Sequence, residues 1–152
     1  MSARSWAAGG LAVVALCWGG LGYTKTRPPD FHAYRLTAVE SAQSAYHAVV
    51  TARVIGGAWR DGRVTGPYAE SVLDDGRSAL AGAADRFAGA TPVDAETVRM
   101  RDRLGPLLLA ANARLGAVRQ AANAKDLAAV GRAVDQLPPV ADGLDAFLQA
   151  YG

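Results

Sequence analysis

The chain holds few side chains of the kinds that do chemistry, and their spacing limits what they can do. Glu70 and Asp74 stand four residues apart with Asp75 beside them, and Asp142 and Asp145 stand three apart. On a helix each pair shares a face, an arrangement that holds a cation weakly. Hydrolytic chemistry needs more: an acid and a base in separate environments, one of them kept protonated by its surroundings. Nothing in the flanking sequence supplies that, and both pairs read as solvated acidic faces. His32 and His47 fall on one predicted helix, about 22 Å apart at the helical rise, too far to share a metal ion or a haem. Arg99, Arg101 and Arg103 resemble a basic patch, but a step of two on a helix turns the direction by about 200°, so Arg101 diverges from the other two. No Ser or Thr has a recognisable triad partner, and no Gly-rich strand-to-helix loop offers a phosphate cradle. The expectation is a non-catalytic protein with no metal and no cofactor.

The elements that must position these side chains read as helical after residue 30, with no sustained two-residue alternation that would indicate strands. Four segments emerge. The first, 31–61, places Ala38, Ala42, Ala45, Val49, Ala52, Ile55 and Trp59 on one face and ends at Asp61-Gly62, a turn signal. The second opens at Thr65-Gly66-Pro67, a capping hydroxyl and a proline tolerated in a first turn, and its predicted stripe includes Val72, Gly76, Ala79, Ala83 and Phe87. The third opens at Thr91-Pro92, with Asp94 as the capping-box acid, and carries Leu104, Leu107, Ala111, Leu115 and Val118, interrupted by Gly105-Pro106. The fourth opens near Asp126 and meets Pro138-Pro139 in its middle. Such helices, joined by short connections, bury their stripes most economically as an all-α, up-down-up-down four-helix bundle over residues 31–152, with proline kinks in helices 3 and 4. The net charge alternates, +1, −2, +2 and −2, along the four segments, which suits antiparallel neighbours, although exposed pairs contribute only about 0–1 kcal/mol each.

Residues 1–24 are of a different kind. Ser5 to Tyr23 is an uncharged run of 19 positions between Arg4 and Lys25, long enough as a helix to reach across a bilayer's hydrocarbon core of about 30 Å. It reads as a membrane anchor, with a cleaved signal peptide as the alternative: Arg4 gives the basic start, but the obvious exit triplet is Gly20-Leu21-Gly22 rather than an Ala-x-Ala. Val14-Ala15-Leu16-Cys17 resembles a lipoprotein box except at bulky Leu16, and the plainer role of Cys17 is a small apolar residue in a membrane helix. Ala8, Ala12, Ala15, Gly19 and Gly22 form a small-residue stripe on which a second helix can pack closely. Residues 25–30, with Pro28-Pro29, form an extended linker that holds the domain off the surface. A short N-terminal flank and a whole domain after the run give a single-pass topology with the domain outside, or a secreted domain if the run is cleaved.

Composition narrows the partners. Arg outnumbers Lys 14 to 2 and Ala and Gly are abundant, the bias of a GC-rich bacterial genome. The net charge of +2 gives no whole-domain case for nucleic acid. The only cysteine is Cys17, so the domain has no disulfide, thiolate metal site or cysteine nucleophile. In architecture the expected bundle resembles the extracytoplasmic four-helix sensor domains of bacterial receptors; no shared motif carries residue roles across. Two functions fit. The first is a tethered interaction module of the bacterial envelope, contacting another envelope protein or a second copy through Trp59, Tyr68 and Tyr151, aromatic residues near helix ends. The second is a small-ligand-binding bundle whose pocket opens at the two proline sites, lined by Leu107 and Leu137.

Overall fold

A computed structural model describes residues 30–152, and the expectations for residues 1–24 and most of the linker lie outside it. Five helices follow one another: α1 (Phe31–Arg60), α2 (Gly66–Ala88), α3 (Ala95–Asn123), α4 (Leu127–Val134) and α5 (Pro138–Tyr151). No strand occurs among the described residues, and no helix there is long and apolar enough to cross a membrane.

Each helix starts where a side chain or a proline answers the unpaired N–H groups of a first turn. Asp30, the last residue of the linker, is extended and its carboxylate accepts from the Ala33 N–H at 2.6 Å. α1 stops at Asp61, followed by Gly62 at φ 71°, a left-handed turn position that favours glycine. Thr65 takes the cap position of α2, but its hydroxyl makes no capping bond; the proline in the first turn sets the start instead. The start of α3 departs from the expectation of Thr91 and Pro92. Asp94 is itself the cap, accepting from Thr97 N–H at 2.8 Å, while Thr97 Oγ1 accepts from the Asp94 N–H at 3.0 Å and the Val93 N–H at 2.9 Å. This reciprocal box satisfies three donors, more than Thr91 with Pro92 could, so the helix begins three residues later. Asp126 caps α4 by accepting from Ala129 at 2.9 Å.

The two proline sites behave differently. Pro106 sits inside a continuous α3. At Pro138-Pro139 the expected kink is instead a break: α4 ends at Val134, and α5 restarts with proline in its first turn. Two successive residues without N–H groups cannot extend a helix that precedes them but can open one that follows.

Cross-helix neighbours fix the direction of every pairing. Ser41 Oγ donates to the Ala83 carbonyl (3.1 Å), Ser44 to that of Ala79 (3.4 Å), and Trp59 lies against Gly66, so α1 and α2 run antiparallel. Arg119 reaches Asp74 while Phe87 and Arg101 flank one cleft, which reverses α3 against α2. Leu107 against Gly143 and Arg103 against Tyr151 reverse α5 against α3. On α1, Gly56 faces Val134 and Arg35 faces Tyr151, so α4 and α5 together form the fourth arm. α1 and α3 touch across the middle, whereas α2 meets neither α4 nor α5: the bundle has a short diagonal. Small residues on α1 allow it, with Ala38, Ala42 and Ala45 fully buried, while Leu104, Leu115, Leu137 and Leu144 fill the other side.

On α2 the expected stripe holds at Ala69, Ala83 and Phe87 and is displaced between them. Leu73 and Leu80 are buried, Val72 is half-buried and Ala79 is exposed. The helix wedges between α1 and α3, and leucine fills that angle better than the smaller neighbour one position earlier. Among the described residues Arg119–Asp74 is the one ion pair between helices, at 2.8 Å; the others join sequence neighbours. Alternating charge therefore contributes little to which helices pair.

Candidate functional site

The acidic pairs serve the surface. Asp74 is taken by Arg119, which also donates to the Glu70 carbonyl at 3.4 Å, and this group ties α2 to α3. Asp145 accepts from Gln149 one turn on at 2.6 Å. His32 and His47 are exposed on α1. Among the described residues no three His, Cys, Asp or Glu side chains converge on a metal position. The arginines diverge as the helical step requires: Arg101 pairs with Asp102 (3.1 Å), whereas Arg103 lies over the Tyr151 ring, 5.8 Å from its centre.

Of the three aromatic candidates, two share one end of the bundle. Trp59 is half-buried and with Pro67 and Leu127 lines an open concavity of about 430 Å3, with Glu70 and Lys125 on its rim. Tyr68 follows Pro67 and is 55% exposed, and Leu127 is 43% exposed. Several turns create this end. Gly66 at the start of α2 leaves room for the Trp59 indole, since a Cβ there would lie 3.3 Å from the ring. Lys125, in the left-handed region at φ 54°, turns the chain so that Leu127 comes beside it. Tyr151 lies at the opposite end, where its ring packs at a tilt of 44° against Phe147 with ring centres 4.8 Å apart. Its carbonyl and that of Gly152 accept from Arg35 at 2.8 and 2.9 Å.

Leu107 and Leu137, expected to line a pocket, are packing residues here. Leu137 has no exposed surface, and Leu107 rests on Gly143, where a Cβ would come within 2.7 Å of Cδ2. The cleft near Gly105 opens on the other face of α3, toward α2. It measures about 340 Å3, with Ala84, Phe87 and Ala88 on one wall and Gly105, Leu108 and Leu109 on the other. A sequence signal for it exists. Leu107, Leu108 and Leu109 are consecutive and span about 200° of helix, wider than an apolar stripe of about 100°, so one of them must face outward. Leu109 does, at 73% exposure.

Beside that cleft the Tyr34 ring packs on Phe87, 5.9 Å between centres, and its buried hydroxyl has no hydrogen-bond partner. Burial raises the phenol's pKa; Arg101 pulls it down and Asp102 pushes it up. Two carboxyls are held below their usual range, Asp61 by hydrogen bonds from Arg60 and Arg63 and Asp94 by the Thr97 N–H.

No protein-family model, no curated protein and no solved structure matches this chain.

Proposed function

We infer that the chain is a membrane-tethered, extracytoplasmic helical bundle that acts by contact with another protein of the bacterial envelope, without catalysis. The observation that carries this reading is the position of its exposed apolar end. Trp59, Tyr68 and Leu127 stand where α1 finishes, and the apolar N-terminal run joins where α1 begins. Thirty helical residues separate them, about 45 Å. The bundle thus acts as a spacer that carries an aromatic contact surface away from the bilayer. Aromatic anchors beside a polar rim, here Glu70 and Lys125, are the residue types that concentrate binding energy in protein interfaces.

The test places a photo-crosslinking residue at Tyr68, at Leu127 or at Glu40, an exposed position on the side of α1, in the full-length protein in native membranes. The reading expects one stoichiometric partner captured from Tyr68 and Leu127 and not from Glu40. Equal capture at all three positions, or none at the first two, overturns it. Tyr68→Cys checks the topology. A membrane-impermeant maleimide should label it in intact cells, and labelling only after permeabilisation places the domain inside.

A further inference from the structure

We propose that the α2–α3 cleft beside Gly105 is a binding site for a small molecule with an apolar body and a cationic head, the head seated on Asp85. This site lies on the side of the bundle and does not rest on the role assigned to the distal end.

The cleft is built by absent side chains as much as by present ones. Ala84 and Ala88 on α2 stand opposite Gly105 on α3, so neither helix fills the space between them. A Cβ added at Gly105 would meet nothing within 4 Å. The volume of about 340 Å3 falls at the lower end of the range for small-ligand sites, about 300–1,000 Å3. Phe87 offers a ring, and Leu109 stands on the rim with most of its surface in water, where it gains burial by closing over an apolar guest.

Charge selects the head. The polar groups lining the cleft are Asp85, Arg101 and Asn112. Arg101 is already engaged: Nε and a terminal nitrogen both donate to Asp102 Oδ1, at 3.2 and 3.1 Å. Asp85 makes no ion pair among the described residues. The lining therefore offers one uncompensated carboxylate, Asp85, which pairs with an ammonium group, while the charge of Arg101 is already balanced by Asp102 and draws a guest carboxylate less.

Three molecules of one shape separate the terms: 2-phenylethylamine, 2-phenylethanol and phenylacetate. Each is titrated calorimetrically into the full-length protein in neutral phosphatidylcholine nanodiscs, with empty nanodiscs subtracted for partition into lipid. The amine should bind at least about tenfold more tightly than the alcohol, a difference of about 1.4 kcal/mol, and phenylacetate most weakly. Asp85→Asn should bring the amine to the level of the alcohol. Gly105→Leu, which fills open space, should abolish binding of both while its melting temperature without ligand stays at or above that of the parent. Equal binding of all three molecules, preference for phenylacetate, amine binding that survives Gly105→Leu, or no binding by the parent overturns the proposal.

Discussion

α1 and α3 are nearly equal in length, 30 and 29 residues, and they hold the bundle together by opposite means. α1 buries mainly small groups, among them Ala38, Ala42, Ala45, Ala52 and Gly56, with Tyr34 and Val49 as its large buried residues. α3 buries Met100, Leu104, Leu108, Leu115 and Val118. The small face lets α1 approach α2, α3 and both segments of the fourth arm. Gly56 illustrates the closeness, since a Cβ there would collide with the Val134 side chain. One helix acts by proximity and the other by volume, so their weaknesses differ: α1 tolerates no added atoms at its contacts, and α3 tolerates no missing ones.

The sharpest way to break the comparison is to exchange the two kinds of damage. Leu104→Ala removes a fully buried side chain from α3 and should cost about 2–5 kcal/mol in urea unfolding, with the midpoint reduced and the slope kept. A loss below 1 kcal/mol would mean that the core collapses around the gap and that volume is not what α3 contributes.

On α1 two adjacent glycines provide an internal control. A Cβ at Gly56 would lie 2.5 Å from Val134 Cγ2, whereas one at Gly57 meets nothing within 4 Å. Gly56→Ala should destabilise by about 1–3 kcal/mol through overpacking. Gly57→Ala should stabilise by about 0.5–1 kcal/mol, because it restricts the unfolded chain in a helix interior. Opposite signs one residue apart sharpen the comparison, and matching signs remove its basis.

An effect of the size expected for Gly57→Ala concerns the large polar side chain on the small face. Tyr34→Phe removes a buried hydroxyl that has no partner and should stabilise by about 1 kcal/mol. It should also change the alkaline limb. Burial raises the Tyr34 pKa above the ordinary value of 10.0, so the folded state holds the proton that the unfolded chain releases. That stabilisation is complete below pH 10 and lost as pH rises through the folded value. The parent should therefore lose melting temperature more steeply above pH 10 than Tyr34→Phe, and parallel curves would show that the phenol is solvated.

The division of labour was only half visible in the sequence. The periodicity shows that α1 is alanine-faced, and the N-terminal signals at Pro67 and Asp126 mark two starts correctly. It sets the two ends of the α2 stripe but not its middle, where Val72 and Leu73, or Ala79 and Leu80, satisfy the pattern equally; the angle between α1 and α3 chooses the leucines. The sequence places the start of α3 early because Thr91-Pro92 is a good local signal, and the Asp94–Thr97 box that displaces it needs a threonine where glutamate or glutamine is the usual partner. Of the sites, the exposed end around Trp59 and Tyr68 follows from helix-end aromatics. The cleft required knowing that Gly105 comes to face Ala84 and Ala88. That juxtaposition is tertiary, and only the run of three leucines hinted at which side it would open.

Arg35 has a consequence for connectivity. By holding the carbonyls of Tyr151 and Gly152, it sets the first and last described turns side by side at one end of the bundle. A short flexible bridge from Gly152 to Asp30, with the chain reopened in the 61–65 turn, would reorder the helices as α2-α3-α4-α5-α1 while changing no contact between them.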